Sequence, residues 1–197
     1  NTFNAVVKRL MDIFGSIVAI ILFSPIMLFA VIMIKLTSPG PLIYKQERVG
    51  LHNRPFKMYK FRSMEVQAPE KEKSEWTTKR DPRVTTIGRV IRKTSIDELP
   101  QLFNVLKGEM SIVGPRPERP FFVKQFIAQK PEYDYRHNVK PGITGLAQIA
   151  GKYNTSAYDK LIYDLLYIQD VSVKTDLMIM LQTFKVLLTK SSTEGVK

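Results

Sequence analysis

Two adjacent carboxylates, Asp97 and Glu98, have the surroundings that phosphoryl chemistry needs. They follow a basic cluster that includes Arg92, and they precede a predicted helix over 99–106. Nearby positive potential keeps a carboxylate ionised, and an ionised aspartate can attack phosphorus to form an acyl-phosphate. A purely structural role is the alternative, because Ser95 and Glu98 have capping-box spacing and acidic residues favour the first turn of a helix.

The positive charge that such a nucleophile would use is also present. Arg116 lies between Pro115 and Pro117, which predicts a rigid loop whose guanidinium could clamp a phosphate. Pyrophosphate substrates are commonly neutralised by Mg²⁺ together with a few Arg or Lys side chains. Mg²⁺ needs only one or two protein carboxylates when substrate phosphates complete its coordination, so Asp97 and Glu98 could supply them.

The composition restricts the classes of partner. The 197-residue chain carries 30 Lys and Arg against 18 Asp and Glu, a formal net charge of +12. This balance predicts a polyanionic partner: nucleic acid, an anionic lipid surface or a phosphorylated substrate. The absence of cysteine excludes disulfides and thiol chemistry. Zinc is disfavoured, because only His52 and His137 could supply imidazole ligands.

An apolar run over 10–34 is long enough to cross a bilayer core. Pro25 interrupts it and predicts a kink, and the Ser24 hydroxyl could satisfy the carbonyl that the proline leaves free. Basic residues flank both ends, so a spanning helix would put one flank on the far side of the membrane, against the usual preference. A re-entrant helix that bends at Ser24 and Pro25 avoids this. A kinked spanning helix and a buried core helix are the alternatives.

The remainder of the chain predicts a mostly helical fold with a small hairpin. In the second extended segment cations alternate with aromatic residues, and a solvated basic strand is the ordinary interpretation. The last helix either packs in the core, the commoner case, or lies along the membrane interface. The predicted elements are extended segments over 42–49 and 56–62 with a hairpin loop between them, a surface loop or short helix over 68–82, a loop over 141–145, and helices over 84–93, 121–129, 157–169 and 176–190.

The segment Ser95–Ser111, followed by Val113–Pro117, resembles the signature of monotopic bacterial sugar transferases. These are phosphoglycosyl transferases that start exopolysaccharide, O-antigen or glycoprotein glycan synthesis. The resemblance covers nearly the whole chain. Further similar segments are Lys8–Arg9 with Asp12, Ser24–Pro25, Tyr59–Met64, Lys140–Gln148 and Tyr163–Tyr167.

The resemblance implies a fold that is mostly α with a small β-hairpin element, in a monotopic membrane protein. Residues 1–36 would form the re-entrant, kinked N-terminal helix. Residues 37–197 would form a cytoplasmic catalytic domain at the membrane interface, with interfacial amphipathic helices. The protein would then lie in the bacterial inner membrane with its catalytic domain facing the cytoplasm, and Lys8 and Arg9 would contact headgroups of membrane lipids.

The resemblance also implies a reaction. Asp97 would be the nucleophile and a ligand of Mg²⁺, and Glu98 would support it. Asp97 would take a sugar-1-phosphate from a UDP-sugar, release UMP, and pass the phosphosugar from a covalent aspartyl intermediate to undecaprenyl phosphate. No nucleic-acid partner is expected, and a homo-oligomer is compatible with the sequence. The residues assigned to substrate phosphates are Arg92, Arg116, Lys60 and Arg62.

The segment Gly114–Pro120 resembles the larger members of this family, which carry extra membrane helices and a domain upstream and often use UDP-glucose or UDP-galactose. A first residue Asn1 agrees with a piece of such a protein, whereas Leu146 departs from the aromatic residue found in many of them. Two rival hypotheses are a non-catalytic membrane partner in polysaccharide export and a nucleic-acid-binding module. The apolar run argues against the second, because it would cause a soluble binder to aggregate.

Overall fold

The computed structural model describes residues 2–65, 81–151 and 156–188, so most of the predicted surface loop over 68–82 lies outside the described residues. Short 3-10 turns occupy Leu51–Asn53, Ile96–Glu98 and Pro131–Asn138. In chain order the helices and strands are α1 (Thr2–Thr37), β1 (Ile43–Val49), β2 (Pro55–Phe61), α2 (Thr86–Lys93), α3 (Gln101–Lys107), β3 (Ser111–Val113), α4 (Pro120–Gln129), β4 (Gly142–Thr144), α5 (Leu146–Ala150), α6 (Ala157–Gln169) and α7 (Val173–Leu188).

Helix α1 continues on both sides of Pro25. A proline cannot donate to the carbonyl four residues earlier, which here belongs to Ile21. The Ser24 hydroxyl donates to that carbonyl at 2.8 Å, which confirms the role expected for Ser24. The apolar segment Phe3–Thr37 is long and apolar enough to cross a membrane, yet only 11% of its most apolar window is buried. The interpretation of this segment as a buried core helix is therefore wrong.

The N-terminal half of α1 packs on the rest of the fold. The Asp12 carboxylate is buried and accepts hydrogen bonds from the Ile112 backbone N–H at 2.9 Å and the Ser111 hydroxyl at 3.0 Å. A Cβ at Gly15 would lie 2.9 Å from the Ile112 side chain, so the helix backbone closely approaches β3.

The C-terminal half of α1 packs on the same body. Ala30 and Ile34 are buried in a cluster with residues of β2 and α2, namely Phe61, Ile87 and Ile91. Thr85 caps α2 by accepting from the Gly88 N–H at 3.0 Å. Val90 would share the apolar face of α2 by helical period, but it is exposed, because α2 buries only a narrow stripe against α1.

The predicted hairpin is confirmed, with β1 antiparallel to β2 from Ile43 opposite Phe61 to Val49 opposite Pro55. Asn104 of α3 satisfies the free edge of β2. Its side-chain amide donates to the Lys57 carbonyl at 2.8 Å, and its side-chain oxygen accepts from the Tyr59 N–H at 2.9 Å. Asn104 is fully buried, so it fixes α3 against this strand.

The residues predicted as a loop over 141–145 include a strand instead. β4 pairs with β3 in parallel, with Ser111 opposite Gly142 and Val113 opposite Thr144. Gly114 and Gly142 permit this approach, because a Cβ at Gly142 would lie 2.1 Å from the Gly114 nitrogen. Three residues are too few to give the alternating pattern that identifies a strand.

Helix α7 begins at Val173 rather than Asp176, because Ser172 caps it by accepting from the Thr175 N–H at 3.2 Å. Ile179 is fully buried, so one stripe of the helix packs in the core as expected. The opposite side is exposed and apolar, and it consists of Leu177, Met178, Leu181 and Phe184.

Candidate active site

Asp97 and Glu98 lie on the 3-10 turn Ile96–Glu98 between α2 and α3. Ser95, just before this turn, has a positive φ of 56° and makes no side-chain capping bond. The capping box considered from spacing therefore does not form. Non-glycine residues rarely adopt this left-handed conformation, and such residues concentrate at functional sites.

Glu98 is neutralised by two cations from distant parts of the chain. The Arg116 Nη2 donates to Glu98 Oε1 at 2.5 Å, and the Lys60 Nζ donates to the same oxygen at 2.8 Å. Burial would raise the pKa of Glu98, but the charges and hydrogen bonds of Arg116 and Lys60 outweigh burial and hold that pKa well below its usual range. Glu98 is thus an ionised anchor for both cations.

Asp97 is in the opposite situation. It is buried, and its carboxylate forms no ion pair or hydrogen bond within the described part of the chain. Burial raises the pKa of Asp97 to about 6, and the charge of Glu98 adds to this effect, while nearby cations oppose it. A carboxyl with that pKa is about nine-tenths ionised at pH 7. Asp97 therefore carries a negative charge and oxygen lone pairs that accept no hydrogen bond from the described residues.

The structure brings Lys60, Arg92 and Arg116 together around the two carboxylates, since all three charges act on Asp97. Burial lowers the pKa of Lys60, and Glu98 opposes that shift. The Arg116 side chain remains 45% exposed, so part of its guanidinium faces solvent. A polyanion that approached this site would meet positive charge directly beside Asp97.

Arg62, the fourth predicted phosphate ligand, is directed elsewhere. It is buried, and its Nη2 donates to the Ser38 carbonyl at 2.6 Å and to the Ser38 hydroxyl at 2.8 Å. It thereby joins the end of β2 to the end of α1. Its role in binding phosphate stays a prediction.

Lys8 and Arg9, predicted to contact lipid headgroups, have protein partners. Lys8 pairs with Asp176 of α7 and donates to the Val113 carbonyl at 3.1 Å. Arg9 donates to the carbonyls of Val105 and Leu106 at 2.6 and 2.8 Å. These carbonyls lie at the C-terminus of α3, where a cation is favoured. The contacts account for both cations without a lipid, and the headgroup assignment stays a prediction.

The residues at this site fit Mg²⁺ only with help from a substrate. No group of three or more His, Asp or Glu side chains that could hold a metal ion occurs within the described residues. Glu98 is occupied by two cations, which leaves Asp97 as the available carboxylate. One carboxylate plus substrate phosphates is a usual donor set for Mg²⁺, so a site completed by the substrate is compatible with this geometry.

Several buried polar residues that surround the site were not identified from sequence. Asp176 and Asn104 read as ordinary helix residues, and Asp164 belonged to a similar segment without a role of its own. Arg136 pairs with Asp164 at 2.9 Å, and both side chains are buried. In the sequence these residues are recognisable only as polar or charged residues within predicted helices and turns. Such a pattern does not identify the residues with which they pair.

Residues 3–190 match the family model described as bacterial sugar transferase, so the chain belongs to the bacterial sugar transferase family. A UDP-N-acetylgalactosamine-undecaprenyl-phosphate N-acetylgalactosaminephosphotransferase of Aeromonas hydrophila is 50% identical, over 94% of this chain and 44% of that protein. A UDP-glucose:undecaprenyl-phosphate glucose-1-phosphate transferase of Klebsiella pneumoniae is 47% identical, over 98% of this chain and 42% of its own length.

The chain spans less than half the length of these two curated relatives. It spans nearly all of a third one, an exopolysaccharide production protein PSS of Rhizobium leguminosarum bv. phaseoli. That protein is 40% identical over 91% of this chain and 94% of its own length.

Proposed function

We propose that this chain is the catalytic part of a phosphoglycosyl transferase that transfers a sugar-1-phosphate from a UDP-sugar to undecaprenyl phosphate and releases UMP. The observation that carries the proposal is the contrast between the two carboxylates. Glu98 is paired with two cations, whereas Asp97 is buried and ionised and has no ion pair or hydrogen bond among the residues that the structure describes. The names of the two relatives specify UDP-sugars and undecaprenyl phosphate, which supports the choice of substrates.

In the first step an Asp97 carboxylate oxygen attacks the phosphorus that bears the sugar. The bond from that phosphorus to the bridging oxygen breaks, and UMP leaves with this oxygen and the electron pair. The sugar phosphate is then bound to Asp97 as an acyl-phosphate. In the second step a phosphate oxygen of undecaprenyl phosphate attacks the same phosphorus, and the bond to Asp97 breaks, which regenerates the carboxylate.

The cations of the site stabilise the charge that builds up during both steps. Arg116 and Lys60 are held by Glu98, so they are oriented before the substrate arrives and need little reorganisation. Mg²⁺, bound by Asp97 and the substrate phosphates, would supply further charge neutralisation. Arg92 adds positive potential from the end of α2. Glu98 acts here as the support of the two cations rather than as a second nucleophile.

The packing of α1 supports a re-entrant arrangement. Gly15 contacts β3, and Met27 packs against the cluster of α1, β2 and α2. The helix between these two contacts spans about 18 Å, whereas a bilayer core is about 30 Å thick. Both ends of α1 therefore belong on the side of the membrane where the catalytic body lies, which we place at the cytoplasmic face of the inner membrane.

Helix α7 supports an interfacial position for the body. Its exposed apolar side, formed by Leu177, Met178, Leu181 and Phe184, would be costly to leave in water. The Lys8–Asp176 pair places this helix beside the start of α1. The exposed side of α7 would then rest in the headgroup region, with Lys174 and Lys185 available to anionic lipids.

The test is UMP release by the protein in detergent with Mg²⁺, undecaprenyl phosphate and a panel of UDP-sugars. Wild type should release UMP with at least one sugar, and Asp97→Asn should reduce release by at least about 10³-fold, because the amide cannot attack phosphorus. Asp159→Asn, which changes an exposed aspartate on α6, is the matched control. Activity retained by Asp97→Asn, or by wild type after chelation of Mg²⁺, would contradict the corresponding assignment.

A further inference from the structure

The loop that carries Arg116 is bonded at five successive residues by other parts of the fold. Pro115 and Pro117 also restrict its backbone, because the proline ring fixes φ. Four of the five groups are carbonyl acceptors, and one is an N–H donor. The bonds are Gly114 N to Thr144 O at 2.8 Å, Gly142 N to Pro115 O at 2.9 Å, Arg136 Nη2 to Arg116 O at 2.7 Å, Arg48 Nη1 to Pro117 O at 3.0 Å and Val49 N to Glu118 O at 2.9 Å.

The central bond of this series comes from a buried side chain. Arg136 is 7% exposed, and its Nη2 donates both to the Arg116 carbonyl and to the Asp164 carboxylate, the latter at 2.9 Å. Its Nη1 donates to the Tyr133 hydroxyl, and its guanidinium carbon lies 4.9 Å from the centre of the Tyr133 ring. Because Asp164 and Tyr133 are themselves buried, Arg136 is held in one position.

The bond from Arg136 acts on the residue that shapes the charge around the nucleophile. Arg116 is fixed at its backbone by Arg136, and its side chain reaches Glu98 at 2.5 Å. Loss of the backbone bond would let the loop shift, and the guanidinium would move with it. Displacements of about 1 Å in groups that orient a reaction can reduce its rate about a hundredfold.

We propose that Arg136, held by Asp164 and Tyr133, is a positioning residue for the reaction: it fixes the Arg116 loop so that the Arg116 guanidinium stays beside Glu98 and Asp97. Arg136 does not touch the reacting atoms. It connects α6, the turn over 131–138 and the loop between β3 and α4. Through this connection the packing of α6 determines where the Arg116 loop lies in the site. This inference rests on the proposed function.

The test begins with Arg136→Lys, which keeps the positive charge for Asp164 but cannot donate to both Asp164 and the Arg116 carbonyl with the planar geometry of arginine. UMP release should show a kcat roughly ten- to a hundredfold lower, with a much smaller change in KM for the UDP-sugar. Arg83→Lys, an equally conservative change in the pair with Asp81, is the control.

A double-mutant cycle separates positioning from a general loss of structure. In an Arg116→Ala background, Arg136→Lys should have little further effect on kcat, because the side chain through which it acts is absent. Effects that multiply in full, or an Arg136→Lys variant with wild-type kcat, would overturn the proposal. If Arg136→Lys does not fold, Asp164→Asn carries the same two comparisons. An inactive wild type would instead count against the proposed function itself.

Discussion

At the scale of single residues, the site depends on two adjacent carboxylates with opposite environments. Burial raises the pKa of Asp97 to about 6, and its carboxylate has no partner in the described part of the chain, whereas Glu98 has two cationic partners that hold its pKa well below the usual range. The difference arises from distant residues, because Lys60 comes from β2 and Arg116 from the loop after β3. In the proposed reaction this difference assigns the two roles: Asp97 is the reactive group, and Glu98 is the support for the cations.

The pKa of Asp97 predicts the pH dependence of the proposed reaction. The attack requires the carboxylate, so kcat/KM for the UDP-sugar should fall as the pH drops through about 6 and should be nearly constant above about 7. Glu98 stays ionised throughout this range and adds no second step. The measurement is the initial rate of UMP release at low substrate concentration from about pH 5 to about pH 8. A kcat/KM that stays constant over this pH range would contradict the proposal that the reaction requires the ionised form of Asp97.

The same two environments predict opposite effects on stability. The folded-state pKa of Asp97 lies above the ordinary aspartate value of 3.8, so its ionisation destabilises the fold at pH above 6, and this penalty disappears below about pH 4. A shift of this size corresponds to about 3 kcal/mol. Asp97→Asn should therefore raise the unfolding temperature at pH 7.5, and the gain should shrink as the pH falls toward about 4.

Glu98→Gln is the matched comparison, and it should change the unfolding temperature in the opposite direction. The folded-state pKa of Glu98 lies below the ordinary glutamate value of 4.5, so its ion pairs stabilise the fold above that pH and are lost as the pH falls through the lowered pKa. The amide leaves Lys60 and Arg116 without their anionic partner, which should lower the unfolding temperature at pH 7.5. Thermal unfolding of both variants in one detergent decides the matter, and equal signs for the two would be inconsistent with these environments.

Only part of this residue-level arrangement could be predicted. Asp97, Glu98 and Arg116 belong to continuous motifs, and a resemblance to a family transfers such motifs directly. Arg136 acts through a backbone carbonyl of another segment, and its anionic partner lies on α6. No local pattern encodes that contact, because hydrogen bonds to a backbone carbonyl do not depend on the identity of the accepting residue.

At the scale of elements, the hydrogen bonding around Pro25 in α1 is a local arrangement that can be tested. Pro25 removes the donor to the Ile21 carbonyl, and Ser24 replaces it at 2.8 Å. We predict that Ser24→Ala lowers the stability of the protein in lipid nanodiscs by about 1 kcal/mol, since a carbonyl without a partner is unfavourable in hydrocarbon. In a Pro25→Ala background the same change should have almost no effect, because the N–H of residue 25 is restored. Equal effects of Ser24→Ala in both backgrounds would contradict this account.

The elements themselves differ in how well the sequence predicts them. The hairpin and helices α4 and α6 were predicted to within about two residues, because each has a turn or capping signal and a clear period. The parallel pair β3 and β4 was missed, since its partners are distant in the chain and three residues long. The start of α7 was misplaced because Ser172, a normal capping residue, was overlooked.

At the scale of the whole molecule, hydrogen bonds fix α1 to the segments that carry Asp97 and Arg116. Arg9 of α1 binds the last carbonyls of α3, and the turn that carries Asp97 immediately precedes α3. Asp12 fastens the same helix to β3, next to the Arg116 loop. In the proposed reaction, the position of α1 in a membrane would therefore set the height of Asp97 above the lipid surface, which suits a transfer from a soluble sugar nucleotide to a lipid phosphate.

The re-entrant arrangement makes a prediction that the cysteine-free chain allows to be tested directly. Single cysteines at Asn4 and Lys35 mark the two ends of α1, Lys124→Cys marks the exposed surface of α4, and Ile21→Cys marks the apolar middle. In sealed inside-out membrane vesicles, a membrane-impermeant maleimide should label positions 4, 35 and 124 without detergent.

Position 21 should react only after detergent is added, because the surrounding apolar segment is shielded by lipid. A spanning helix would instead leave position 4 unlabelled until the vesicles are opened, while positions 35 and 124 reacted at once. That outcome would also require the contacts of Asp12 and Arg9 with the catalytic body to break in the membrane. Since the Asp12 contact is buried and both contacts are hydrogen bonds, we expect both ends of α1 to remain on the side of the body, where the proposed lipid phosphate would reach Asp97.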